Sequence, residues 1–131
     1  MSRGGMTAYA GNMRVMIVDE SPLVRDRLNV MLREVGASEI FEADGAETAL
    51  RIMRRSVLDA VLLDLPLGHD AGVMLVRQLR SQQPQALIVV LTNYASESHR
   101  REWLRRGAHF LFDKSREFED AVRHVVERRG A

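Results

Sequence analysis

Val15-Met16-Ile17-Val18-Asp19-Glu20-Ser21-Pro22 decides the fold. The first four residues are a continuous apolar run, too short for a helix and without the alternation of a half-exposed strand. They read as a strand buried on both faces, the kind found in parallel sheets. Two acids end the run, and Ser21-Pro22 then supplies a helix N-cap and a first-turn proline. Val24, Leu28, Met31, Leu32 and Val35 follow at i, i+4, i+7, i+8 and i+11, with Gly36 placed for a left-handed cap.

This strand–polar end–helix grammar recurs along the chain. Val61-Leu62-Leu63 ends in Asp64, Leu87-Ile88-Val89-Val90-Leu91 in Thr92, and Phe110-Leu111-Phe112 in Asp113-Lys114. Glu39-Ile40-Phe41-Glu42-Ala43 alternates polar and apolar residues, as an edge strand would. Ala46, Ala49, Leu50 and Met53, then Val73, Val76 and Leu79, carry helical spacing. Phe118, Ala121, Val122, Val125 and Val126 form the last stripe. Five β-α units result, with strands near 14–18, 38–43, 59–63, 86–91 and 109–112. Short loops and right-handed crossovers make them an α/β fold, a five-stranded doubly wound parallel sheet with five helices. Ligands bind such a sheet at the carboxyl ends of its strands.

Composition narrows the function. The 131 residues, 46% hydrophobic, suffice for one domain, read as residues 14–131 behind a flexible tail, 1–13. A formal charge of +1 gives no general attraction to nucleic acid or membrane, although Arg100-Arg101 and Arg105-Arg106 make a local basic cluster. There is no cysteine, hence no disulfide framework or thiolate metal site, and the four histidines lack zinc spacing. No signal peptide or membrane span is read in the tail, and a cytoplasmic location is expected. Of the 19 basic side chains, Lys114 is the only lysine. Its compact ammonium can enter a small anionic site where a forked guanidinium would not.

The strand ends hold that anionic site. Asp19, Glu20 and Asp64 together carry a formal charge of −3, and like charges raise one another's pKa unless a cation intervenes. Mg²⁺, which takes oxygen ligands and keeps several waters, suits them. With it and Lys114 the site sums to zero, −3 + 2 + 1, and becomes a receptor for a phosphoryl group. Thr92 adds a hydroxyl, and Asp64 stands where a carboxylate nucleophile could meet an in-line donor. Each residue alone reads as a cap or turn. Asp113 reads as a turn residue, since strand alternation points it away from the side Lys114 faces.

As a set, these residues resemble the receiver domain of bacterial two-component response regulators, a stand-alone, CheY-like member with the flavodoxin-like receiver fold. The resemblance rests on Val15-Met-Ile-Val-Asp19-Glu20-Ser-Pro-Leu-Val-Arg25, Val61-Leu-Leu-Asp64 with Gly72 eight positions on, Val-Val-Leu-Thr92, and Gly107-Ala108 with Lys114 seven residues after Gly107. It covers residues 14 to about 129. It implies that Asp64 accepts phosphate from a sensor histidine kinase or phosphotransfer protein. Glu20, Asp64 and the Pro66 carbonyl would hold Mg²⁺, with Asp19 acting mostly through a bound water. Thr92 and Lys114 would bind the phosphoryl oxygens and convert phosphate into a conformational change. Such a protein is a phosphoacceptor in its own Mg²⁺-dependent phosphotransfer and dephosphorylation rather than an enzyme.

The sequence departs from the family at the modulating positions. Asn93 follows Thr92 where a small residue is usual, Leu111 stands three residues before the lysine where a switching Tyr or Phe is common, and Ser115 replaces a proline. Gly68 stands where many members have a proline, and Pro66 is unusual two residues past the acceptor. After Lys114 a single helix remains, so the reading is a receiver that signals by docking an unknown downstream protein, with no direct nucleic-acid or membrane contact and with room for a homodimer. The docking surface is expected to include Arg100, Trp103 and Arg105, since Trp and Arg are enriched at interface hot spots; the other reading of Trp103 is that it and Leu104 pack their helix onto the sheet. The alternative function is a pseudo-receiver, a constitutive interaction or dimerisation module. A haloacid-dehalogenase-like phosphatase is disfavoured, because that family places a second Asp where Pro66 stands.

Overall fold

A computed structural model describes residues 13–65, 69–93 and 95–130. The strands are β1 (Arg14–Val18), β2 (Glu39–Ala43), β3 (Ala60–Leu65), β4 (Leu87–Thr92) and β5 (Phe110–Asp113). They alternate with α1 (Pro22–Glu34), α2 (Ala46–Arg55), α3 (His69–Gln82), α4 (Glu97–Arg106) and α5 (Phe118–Gly130). All strand pairs are parallel, in the order β2-β1-β3-β4-β5. Strand β2 is indeed an edge: it pairs with β1 alone, and its Ile40 and Phe41 are only partly buried, one against each layer. Asp64 lies inside β3 and Thr92 inside β4, rather than just beyond them; the backbone pairing continues past the first polar side chain, with Leu65 opposite Thr92.

The sheet separates two cores. On one face Met16, Val18, Val61, Leu63, Ile88, Val90 and Leu111 pack with Met53 of α2, Leu75, Val76 and Leu79 of α3, and Trp103 of α4. On the other, Val15, Ile17, Leu62, Val89, Leu91 and Phe112 pack with Leu28 and Leu32 of α1 and Phe118, Ala121, Val122 and Val125 of α5. Odd and even positions of one strand thus enter different layers, the period of two expected of an extended chain. Because both layers are filled, the central strands have no polar face and read as unbroken apolar runs. Burying each such Leu or Ile stabilises the fold by about 1.5–3 kcal/mol.

Local chemistry sets the helix ends. Ser21 caps α1, its Oγ accepting the Val24 N–H at 3.3 Å, with Pro22 in the first turn. Ser96 does the same for α4 through the His99 N–H at 3.2 Å. Gly36 and Gly107 take positive φ, 106° and 123°. At Gly107 a Cβ would also meet the Arg80 Cγ at 2.7 Å, so both backbone conformation and space exclude a side chain there.

Two sequence expectations are corrected. Met13, assigned to the tail, is fully buried, and its N–H donates to Ser38 Oγ at 3.0 Å; the rest of the expected tail lies outside the described residues. Trp103, read either as a docking residue or as helix packing, is only 3% exposed and packs α4 onto the sheet, which removes it from the docking surface. Its ring joins the core that holds Ala108 and Leu111, while the neighbouring Leu104 is 40% exposed.

A tie that periodicity cannot reveal closes the amino end of the sheet. Gln83 accepts the Leu58 N–H at 2.9 Å and donates to the carbonyls of Met53 and Ser56 at 3.0 and 2.7 Å. One side chain thereby holds the end of α2, the entry to β3 and the end of α3. Gln83→Ala is expected to lower unfolding free energy by about 1–3 kcal/mol, measured by urea denaturation with an unchanged m-value.

Candidate functional site

Strand register assembles the site. Val18 lies opposite Leu63, so Asp19 and Asp64, one residue further on each chain, emerge side by side at the carboxyl edge. Thr92 lies opposite Asp113, and the Lys114 N–H donates to the Thr92 carbonyl at 2.8 Å. The end of β5 is thereby sewn to the end of β4, and the Lys114 side chain crosses the β4 terminus toward the acids.

The ammonium arrives between them. Lys114 Nζ is 2.9 Å from Asp19 Oδ2 and 2.7 Å from Asp64 Oδ1. Asp19 and Asp64 are 1% and 5% exposed, and among the described residues these two oxygens have no partner beyond the lysine. Burial raises the Asp64 pKa above the ordinary carboxylate range, Lys114 opposes this and the neighbouring Asp19 adds to it. Burial pulls the lysine down, but its contacts with Asp64 and Asp19 outweigh that, and the net shift is upward. Both directions describe one fact, that two acids share a single cation.

Asp19 is held at every polar atom. Its N–H donates to the Ala43 carbonyl at 3.0 Å, its Oδ1 accepts the Ser21 N–H at 2.9 Å, and its carbonyl accepts from Arg25 Nη1 at 2.7 Å. Glu20 is different. It is exposed, makes no ion pair or side-chain hydrogen bond among the described residues, and does not complete a three-carboxylate cluster there. The crowding expected of Asp19, Glu20 and Asp64 is therefore a buried pair plus a lysine, with an exposed Glu20 beside it. Thr92 is buried beside the pair's edge, and Asn93 is exposed. Pro66 lies outside the described residues.

The donor set fits a hard divalent ion. Asp19 Oδ2 and Asp64 Oδ1 are buried anionic oxygens that, among the described residues, meet only the Lys114 ammonium, and carboxylate oxygen is what Mg²⁺ selects. Asp113 stands apart, as its position on the strand predicts. Its Oδ1 accepts the N–H and hydroxyl of Ser115 at 2.9 and 2.7 Å, bonds that lower its pKa.

Residues 15–126 match the family model described as the response regulator receiver domain. The chain belongs to that family. The receiver is 27% identical to the Fimbriae Z protein of Salmonella typhimurium over 85% of this chain and 53% of that protein. It is 31% identical to the methanol utilization control regulatory protein MoxX of Paracoccus denitrificans, over 78% and 47%. It therefore spans about half the length of the curated relatives it matches. Among solved structures it superposes on a Burkholderia pseudomallei response regulator crystallised with a phosphorylated aspartic acid, calcium ion and citrate. The TM-score is 0.77 at 24% identity, covering 90% of this chain and 71% of that one. The chemotaxis response regulator CheY4 of Vibrio cholerae gives 0.76 at 23%, covering 88% and 97%. Receiver domains are signalling domains of two-component systems, generally non-catalytic, that interact with histidine kinases or phosphotransfer proteins and bind Mg²⁺ at the phosphorylation site. Among the described residues of this receiver, no helix is long and apolar enough to cross a membrane.

The receiver's expected modulators and surface divide by burial. Leu111 is fully buried, so it is a core residue of β5; its carbonyl accepts a bond from Arg100 Nη1 of α4. Arg100 is thus partly engaged in holding its own helix to the sheet, while Arg105 is exposed. Sequence reading assigned no role to Arg25 or to the Arg100–Leu111 bond. Arg25 stood within the family motif, yet its target is a backbone carbonyl, which leaves no trace in residue type.

The pKa directions fix a stability test. Folded Asp64 holds its proton more tightly than the unfolded chain does, so its contribution is present below the ordinary carboxylate pKa and is lost as pH rises through the raised value. Asp64→Asn is therefore expected to raise Tm at pH 7 by a few degrees and to lose that advantage in strong acid. Lys114→Ala leaves two buried carboxylates face to face and is expected to cost about 2–3 kcal/mol. The double variant should recover most of that loss, as read by thermal and urea unfolding.

Proposed function

We propose that this receiver accepts a phosphoryl group on Asp64 from a histidine kinase or phosphotransfer protein in a Mg²⁺-dependent reaction, and signals by docking a downstream protein. The observation that carries this reading is the single Lys114 ammonium shared by two buried carboxylates, with Thr92 tied to the lysine's own backbone.

In this mechanism an Asp64 carboxylate oxygen attacks the phosphorus of a phosphohistidine. A P–O bond forms, the P–N bond breaks, and the imidazole departs with its electron pair, leaving an acyl phosphate. Asp64 needs no deprotonating base at neutral pH, so this chain's task is positioning and charge. Lys114 leaves Asp64 Oδ1 as that oxygen is esterified or turned, and its Nζ transfers to a phosphoryl oxygen while Asp19 keeps the ammonium in the site. The Thr92 hydroxyl donates to a second phosphoryl oxygen. Asp19 and Asp64, with Glu20 beside them and the Pro66 carbonyl nearby in sequence, would hold Mg²⁺, which supplies neutralisation of the incoming phosphoryl charge. Hydrolysis returns inorganic phosphate and the free carboxylate.

Because the Lys114 N–H is bonded to the Thr92 carbonyl, a pull on either side chain is felt at both strand ends. That movement would reach α4, whose outer face offers Arg101, Leu104 and Arg105 to solvent and is the docking surface of this proposal.

The test is incubation with Mg²⁺ and a small phosphoryl donor such as phosphoramidate, read by intact mass. Wild type should gain one phosphate that alkaline hydroxylamine removes. Asp64→Asn should gain none, and Lys114→Ala should fall at least tenfold in rate. Absence of any uptake by wild type would reject the phosphoacceptor and leave a binding module.

A further inference from the structure

Arg25 lies on α1, one turn past the two acids, and belongs to no part of the phosphoryl chemistry described above. Its side chain is 18% exposed. Nη1 donates to the Asp19 carbonyl at 2.7 Å, and Nε donates to Glu42 Oε1 of the edge strand at 3.1 Å. The other oxygen of Glu42 accepts from Asn29 Nδ2 at 3.0 Å. Glu42 and Asn29 thus brace the guanidinium from the side remote from the acids. This short charge-assisted bond is not helix capping, which needs an acceptor for the first N–H groups of α1 and is supplied by Ser21.

The carbonyl so held is half of the peptide unit joining Asp19 to Glu20. A peptide is planar, so fixing its oxygen fixes the plane and the direction in which the Glu20 Cα leaves. Asp19 has independent anchors at its N–H and both carboxylate oxygens. Glu20 has none of that kind at its side chain, which is exposed. The residue whose aim depends on Arg25 is therefore Glu20.

We infer that Arg25 is a positioning residue that orients the Asp19–Glu20 peptide so that Glu20 is held beside the divalent-cation site of Asp19 and Asp64. This rests on the metal site of the proposed function. An arginine suits the task because its planar fork can bond the carbonyl and the Glu42 carboxylate at once, in a fixed relation that lysine does not reproduce. Residues that orient metal ligands in this way typically change metal affinity by 10- to 100-fold when removed.

Mg²⁺ alone, titrated into the full chain by calorimetry, reads the inference without any phosphoryl donor. Arg25→Met is expected to weaken Mg²⁺ binding about tenfold, and Arg25→Lys to recover only part of it. Glu42→Gln, which loosens the brace but leaves the carbonyl bond, should shift it no more than about twofold. The decisive measurement is the cycle with Glu20→Gln: if Arg25 acts through Glu20, Arg25→Met adds little in that background. Equal Mg²⁺ affinity in wild type and Arg25→Met, or full additivity with Glu20→Gln, overturns the inference. A wild type that binds no Mg²⁺ overturns the metal site itself, an outcome separate from either, and phosphoryl uptake by Asp64 is scored independently by mass. Circular dichroism of each folded variant separates lost aim from lost structure.

Discussion

Two carboxylates buried within reach of one ammonium constrain everything at the carboxyl edge of this sheet. Asp19 and Asp64 would repel one another at almost no exposure if Lys114 did not stand between them at 2.9 and 2.7 Å. The arrangement is satisfied but not relaxed, since burial still holds the Asp64 pKa above its usual range. A site of this kind is sensitive to any group that changes its charge. On the proposed function, a phosphoryl group or a divalent ion would redistribute the lysine rather than merely fill a pocket.

Topology makes the site and also gives it an output. In the order β2-β1-β3-β4-β5 all strands are parallel, so residues distant in sequence share one edge without long loops. The lysine must cross the end of β4 to reach the acids, and its own N–H is bonded to the Thr92 carbonyl on the way. The carboxyl ends of β4 and β5 are thereby joined beside the acid pair. On that helix Arg100 bonds the Leu111 carbonyl while Trp103 anchors the helix from beneath. The helix is consequently attached to the sheet by a polar and an apolar tether, and Leu111, at the position where the family often carries a switching aromatic, is buried in the core.

The fold was legible because both faces of the sheet are covered. Runs such as Leu87–Leu91 cannot be anything but doubly buried strands once helical stripes flank them, and Ser21-Pro22 and Gly107 mark helix ends by their own backbone preferences. The candidate site was legible for a related reason: at strand ends a polar residue after an apolar run is conspicuous, and Asp64, Thr92 and Lys114 all follow that rule. Glu20 and Trp103 were harder. Glu20 adjoins Asp19 yet is exposed where Asp19 is buried, and of the two large apolar residues of α4 Trp103 is drawn into the core while Leu104 stays at the surface.

By itself, then, the sequence determined the order of strands and helices, the two apolar layers, and the chemical identity of the groups at the carboxyl edge. These depend on local periodicity and residue type, which short windows of chain express. Only the tertiary structure decided which of those groups meet. It chose Asp19 over Glu20 as the partner of Asp64, carried Lys114 across β4, and set Arg25 on the Asp19 carbonyl. Each depends on strand register and on backbone atoms common to every residue, so no side-chain pattern in the sequence could announce it.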